Sequence, residues 1–81
     1  METLEPITVV SRVNNYLYLS GNQAIIDKVT KLTEVFRRQG ISVYNTKYEL
    51  RKRLQEQYGN SWFTKSQPAI DVLVDREYGV A

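Results

Sequence analysis

The spacing of apolar positions changes period along the chain. Ile7-Thr8-Val9-Val10 is β-branched and follows Pro6, which suits the start of a strand. Asn14-Asn15 is a turn signal, because Asn tolerates positive φ. Tyr16-Leu17-Tyr18-Leu19 then alternates with period two. Residues 7–19 therefore predict an antiparallel hairpin with Ile7, Val9, Leu17 and Leu19 toward a core.

Beyond Leu19 the period becomes helical. Ser20 and Gln23 have capping-box spacing, and Asn22 is an alternative N-cap. Ile25, Ile26, Val29, Leu32, Val35 and Phe36 form one stripe. Asp27 in the first turn and Arg37-Arg38 in the last suit the helix dipole. Gly40 is placed as the C′ residue, with Ile41 as its hydrophobic partner.

The second half is read as strand, helix, loop, strand. Ile41 to Tyr44 predicts a short strand. Thr46 and Glu49 form a second capping box for a helix that runs to Tyr58 and stops at Gly59. Leu50, Leu54 and Tyr58 mark its buried side, and Glu49–Arg53 and Lys52–Glu56 its paired, exposed side. Asn60 to Gln67 reads as a polar loop holding Trp62 and Phe63. Pro68 then opens a strand over Ala69 to Val74, with Ile70, Val72 and Val74 on one face.

The expected order is β-β-α-β-α-β, with right-handed crossovers joining parallel strands. The fold class is α/β (α+β), a small mostly parallel sheet in a single domain spanning residues 1–81. One core is expected to hold Ile25, Val29, Leu32, Phe36, Val43, Leu50, Leu54, Ile70, Val72 and Val74.

Composition narrows the chemistry. With 81 residues the chain buries only about 60–65% of its unfolded surface, so burial by self-association would help it. At 42% hydrophobic and 25% charged the composition is that of a folded domain rather than a disordered one. No cysteine and no histidine are present, which removes disulfides, thiol catalysis and zinc-thiolate sites. No apolar run approaches the ~20 residues of a membrane span, and METLEPITVV carries acids where a signal peptide would carry Lys or Arg. The expectation is a soluble, cytoplasmic protein with no cofactor and no metal.

The net charge of +2 is mild, but its distribution is uneven. Lys28, Lys31, Arg37, Arg38, Lys47, Arg51, Lys52 and Arg53 fall between residues 28 and 53, against Glu34 and Glu49. Both ends lean acidic, with Glu2 and Glu5, then Asp71, Asp75 and Glu77. Arg37, Arg38, Lys47, Arg51, Lys52 and Arg53 are the candidate nucleic-acid contacts. Arg12, Tyr16, Tyr18 and Tyr44 are expected to share the sheet face opposite the helices, where aromatics could stack bases or receive a protein. Asp71 and Asp75 are read as solvated charges on that face, where they would repel phosphate.

From Asn15 onward the chain resembles the glutaredoxin branch of the thioredoxin-like fold. The residues concerned are Gln39-Gly40-Ile41, then Glu49-Leu50-Arg51-Lys52-Arg53-Leu54 running to Tyr58-Gly59, then Gln67-Pro68 and Asp75-Arg76-Glu77-Tyr78-Gly79. The resemblance implies a cis Gln67–Pro68 bond. The family's redox cysteine would fall in Gly21-Asn22-Gln23-Ala24, where there is none, so the resemblance implies a cut-down, non-redox member. One reading retains a binding groove near Gln67-Pro68.

Other constellations are weaker. Without histidine, a Ser or Thr nucleophile has no marked base. Asp71 and Asp75 sit four apart on an expected strand, which suits solvated charge better than acid–base catalysis. Ser20, Gly21 and Asn22, with Asn45 and Thr46, would lie at one edge of parallel strands and could hold an anion, though their commoner role is capping. Gly40-Ile41-Ser42 before LRKRLQEQYG resembles the end of a helix-turn-helix, but the spacer VYNTKYE reads as strand. The leading functional expectation is a non-catalytic, non-enzymatic binding module (an adaptor, regulator or inhibitor). Its partner is a protein or a second copy, met through Arg12, Tyr16, Tyr18, Tyr44, Trp62 and Phe63. The alternative is a small nucleic-acid-binding regulator using the basic helix and the tyrosines.

Overall fold

A computed structural model describes residues 4–80 of the chain. Glu2, part of the acidic start, lies outside them, as do Met1, Thr3 and Ala81. The described elements are β1 (Thr8–Val13), β2 (Tyr16–Ser20), α1 (Gln23–Arg38), α2 (Val43–Tyr58) and α3 (Asn60–Tyr78). The architecture is a two-stranded antiparallel sheet followed by three helices. It is a small α+β fold, and it overturns both the mostly parallel sheet and the thioredoxin-like resemblance.

The hairpin forms where its alternation and turn residues place it. Asn14 and Asn15 take φ of 51° and 68°, the two positive values that a tight two-residue turn needs to match strand twist. Val13 therefore pairs with Tyr16, Arg12 with Leu17 and Ser11 with Tyr18. A bulge between Val9 and Ser11 shifts the register, leaving Val9 opposite Leu19. Ile7, just before β1, is fully buried; Leu17 and Leu19 are half-buried, and Val9 is exposed.

The first helix follows most of its sequence signals, but no acidic residue falls in its first turn, where Asp27 was expected, and Val35 of the expected stripe is exposed. Asn22 rather than Ser20 supplies the N-cap, accepting from the Ala24 N–H at 3.0 Å. At the far end Gly40 has φ 79°, its N–H bonds to Arg37 O at 3.0 Å, and the Ile41 N–H bonds to Phe36 O at 3.0 Å. Those two bonds and the contact of half-buried Ile41 with the core make a Schellman termination.

The second half departs from expectation. Ile41 to Tyr44 is not a strand: Ser42 Oγ accepts from the Asn45 N–H at 3.1 Å and caps α2, which begins at Val43. Thr46 is therefore not a cap but a buried residue one turn into the helix. VYNTKYE is its first two turns, so α1 and α2 meet through a tight turn, which removes the argument set against a helix-turn-helix arrangement. Residues 60–67 are not a loop and 69–74 are not a strand; both belong to α3, which runs through Pro68. No cis peptide occurs among the described residues, so the expected cis Gln67–Pro68 bond is absent. Proline lacks the N–H that would bond Thr64 O. Both residues face solvent, where water can take that carbonyl.

The spacing along α3 supports two periods. Trp62, Phe63, Ser66, Ala69, Ile70, Leu73 and Val74 are all buried and repeat at three to four residues. The period-two set Ile70, Val72 and Val74 lies inside the same apolar run, directly after Pro68, which in sequence suits a strand start. The helical period wins because α3 packs against α1, α2 and β1 at once. Of the expected core, Ile25, Val29, Phe36, Leu50, Leu54, Ile70 and Val74 are buried, while Leu32 and Val43 are partly buried against it. Val72 is half-buried and outside that cluster.

Long-range polar contacts tie the elements together. The Ile7 N–H donates to buried Ser66 Oγ at 2.9 Å, and Trp62 Nε1 donates to Glu5 O at 2.9 Å, strapping the N-terminal segment onto α3. Gly21 passes so close to this strap that a Cβ there would sit 2.9 Å from Ile7 Cα. The Tyr78 hydroxyl donates to Ile41 O at 2.6 Å and lies 2.6 Å from Thr46 Oγ1, joining the end of α3 to the α1–α2 turn.

Candidate functional site

The hairpin presents two unlike faces. Side chains paired across a ladder share a face, and alternate residues swap faces. Leu17, Leu19 and Arg12 thus lie on one side, and Val13, Tyr16, Tyr18 and Ser11 on the other. The second side is open: Val13, Tyr16 and Tyr18 are 49%, 67% and 51% exposed, with Val10 in the bulge at 57%. The expected grouping of Arg12 with Tyr16 and Tyr18 on one face does not occur, since Arg12 pairs with Leu17. Nor does Tyr44 join them, because it stands on α2 rather than on a strand.

A cleft of about 520 Å³ runs beside β2. The four consecutive residues Tyr16, Leu17, Tyr18 and Leu19 all line it, so it follows the strand's edge rather than either face. Gln23 and Ile26 of α1 and Leu73 and Arg76 of α3 complete its walls. A neighbouring cleft shares Tyr16, Leu17 and Arg76 and adds Arg12 and Asp75.

Tyr44 lines a different cleft of about 220 Å³ between α2 and α3, with Lys47, Tyr48, Arg51, Gln67 and Asp71. Asp75, one helical turn beyond Asp71, pairs with Lys47 beside this cleft. Lys47 Nζ lies 2.9 Å from Asp75 Oδ1, a buried oxygen that receives no aligned hydrogen bond. Burial pushes the Asp71 carboxyl above its ordinary value of 3.8; Lys47 opposes that rise and Asp75 adds to it. Asp71 and Asp75 are thus half-buried helix residues, not the solvated strand-edge charges expected.

The candidate phosphate-binding cations are mostly engaged. Arg37 pairs with Glu77 at 3.4 Å, Arg38 with Glu34, and Lys47 with Asp75. The Arg53 guanidinium lies 5.1 Å from the Phe36 ring centroid, over its face. Arg51 and Lys52 make no ion pair among the described residues and border a shallow depression with Tyr48 and Gln55. The two junctions considered for an anion do not share a strand edge, because Asn45 and Thr46 lie within α2. Trp62 and Phe63 are buried core residues, 6% and 3% exposed. Among the described residues no three carboxylates converge as a metal site, and no helix is long and apolar enough to cross a membrane.

No family model, curated protein or solved structure matches the chain. Sequence reasoning missed Val13, although a two-residue Asn14-Asn15 turn puts Val13 opposite Tyr16 by arithmetic. It also missed Tyr48, which stands one turn from Tyr44 once α2 is started at Val43. Nothing local marks Ile26, Leu73 and Arg76 as neighbours of β2, since only the packing of α1 and α3 brings them there.

Proposed function

We propose that this chain is a non-catalytic protein-binding module that docks its partner through the hairpin. One observation carries the reading: Val10, Val13, Tyr16 and Tyr18 form an exposed apolar set on a strand pair that holds little of the core. Large aromatic side chains supply contact area at low entropic cost and are enriched at binding hot spots. Regulation or inhibition of a protein partner is the class of action such a surface performs. The test places a photo-crosslinking residue at Tyr16 and, separately, at Tyr44 in the native cell. One specific protein captured from Tyr16, and lost in a Val13→Ser, Tyr18→Ser chain that melts normally, supports the reading. Capture from Tyr44 alone, or no specific capture, defeats it.

A second reading rests on α2. Tyr44, Tyr48, Arg51, Lys52 and Gln55 follow one another at helical spacing, and both tyrosines are exposed. Aromatic and basic residues so interleaved suit a single-stranded nucleic acid. With Arg51 and Lys52 the two basic residues of that face outside ion pairs, the salt slope expected on a single strand is about −1.4. Fluorescence anisotropy on a single-stranded oligonucleotide tests it: binding with that slope, lost on Arg51→Gln with Lys52→Gln, favours α2. Absence of binding at low salt removes it.

A further inference from the structure

The two strands of the hairpin guard their outer edges differently. Edge strands expose unpaired N–H and C=O groups, and proteins blunt them with bulges, charges or proline. The β1 strand carries a bulge between Val9 and Ser11, and Arg12 beside it. The β2 strand carries none of these. Between Arg12 and Asp27 no residue is charged and none is proline. Among the described residues, no backbone hydrogen bond outside the hairpin involves Tyr16 to Ser20. The cleft lined by Tyr16, Leu17, Tyr18 and Leu19 runs along this same open edge, with Ile26 and Leu73 in its walls.

We infer that the β2 edge pairs antiparallel with the β2 edge of a second copy of this chain, making a four-stranded sheet across a two-fold axis at Tyr18. This rests on the protein-docking reading of the hairpin and names its partner. Three features favour a second copy over a foreign strand. The segment is self-complementary about Tyr18: Leu17 meets Leu19 of the partner and Leu19 meets Leu17, so one face of the joined sheet carries a row of four leucines. A neutral strand meets itself without like-charge cost, and an isologous contact closes at two copies. The flanks are complementary too. Arg76 lines the cleft with Tyr16 and Leu17 near the turn end, and in this register it faces the Ser20 end of the partner. There Gln23 donates to the Asp27 carboxylate at 3.0 Å, so a guanidinium approaches an acidic corner. A two-stranded ribbon is marginal by itself, and four strands sharing a leucine row are not.

Sedimentation velocity of the full chain over a concentration series tests this, with Tyr18→Lys and Tyr18→Glu as variants. Tyr18 is about half exposed, so neither change should disturb the fold, and thermal melts at low concentration check that. The wild-type chain should dimerise reversibly. Each variant alone should dimerise at least about tenfold more weakly, because like charges meet at the axis. An equimolar mixture of the two should recover the dimer. Amide hydrogen exchange across Tyr16–Ser20 should slow as wild-type concentration rises. A chain that stays monomeric at the highest soluble concentration overturns self-pairing, while the cross-link from Tyr16 decides separately whether a foreign protein docks there. A dimer that both variants preserve, with no change in exchange at β2, overturns the edge as its contact.

Discussion

The helices bury Val29, Leu50, Leu54, Ile70 and Val74 to 1% exposure or less, whereas every residue of β1 is open to solvent. Both regions are rich in apolar side chains, so composition does not separate them. What separates them is how many elements close over each. The α3 helix is covered by α1, by α2 and by the strap at Glu5–Ile7, and so spends its apolar residues on stability. Among the described residues the hairpin has helices on one side only, which leaves Val10, Val13, Tyr16 and Tyr18 exposed. The buried residues that hold the fold together and the exposed residues proposed for contact are therefore different sets in this chain. Change in one should barely touch the other.

That separation can be broken at its strongest point first. Leu54→Ala removes a fully buried core side chain of α2 and should cost ~2–5 kcal/mol, much of the stability of a domain this size. A circular-dichroism melt that hardly moves would show that α2 is not packed on α3 as described. Ser66→Ala should cost ~1–3 kcal/mol, because the Ile7 N–H is left buried without an acceptor. Chemical denaturation reads that loss, and a neutral result would mean the strap at Glu5–Ile7 contributes nothing. In contrast, Val13→Ser and Tyr16→Ser should each shift stability by less than ~0.5 kcal/mol, as exposed positions do. A large loss at either would collapse the distinction between core and contact surface.

The smallest effect is expected at Asp71. Burial holds its carboxyl above 3.8, so the folded chain binds that proton more tightly than the unfolded chain does. Folding is therefore penalised as pH rises from 3.8 through the raised value, and the penalty is complete above it. Asp71→Asn should raise the melting temperature slightly at neutral pH, and the gain should fade once the solution is more acidic than 3.8. An equal gain at both pH values would show that ionisation is not its source.

Wherever one local signal was enough, the chain's own residues determined the structure. Asn14-Asn15 fixed the turn, the alternation of Tyr16 to Leu19 fixed β2, and the stripe from Ile25 to Phe36 with Gly40 behind it fixed α1. The helical core residues Leu50, Leu54, Ile70 and Val74 were legible as apolar and inward, even where their element was misassigned. Tertiary structure decided the rest. Thr46 reads as a cap in sequence, but Ser42 supplies the cap, and Thr46 lies buried with its hydroxyl 2.6 Å from that of Tyr78, thirty-two residues on. Ala69 to Val74 fits two periods, and only simultaneous packing on α1, α2 and β1 selects the helix. Ser66 reads as loop-like until the Ile7 N–H arrives from the other end of the chain. The clefts were invisible for the same reason: a strand's residues are local, but what walls its edge belongs to helices that fold back onto it.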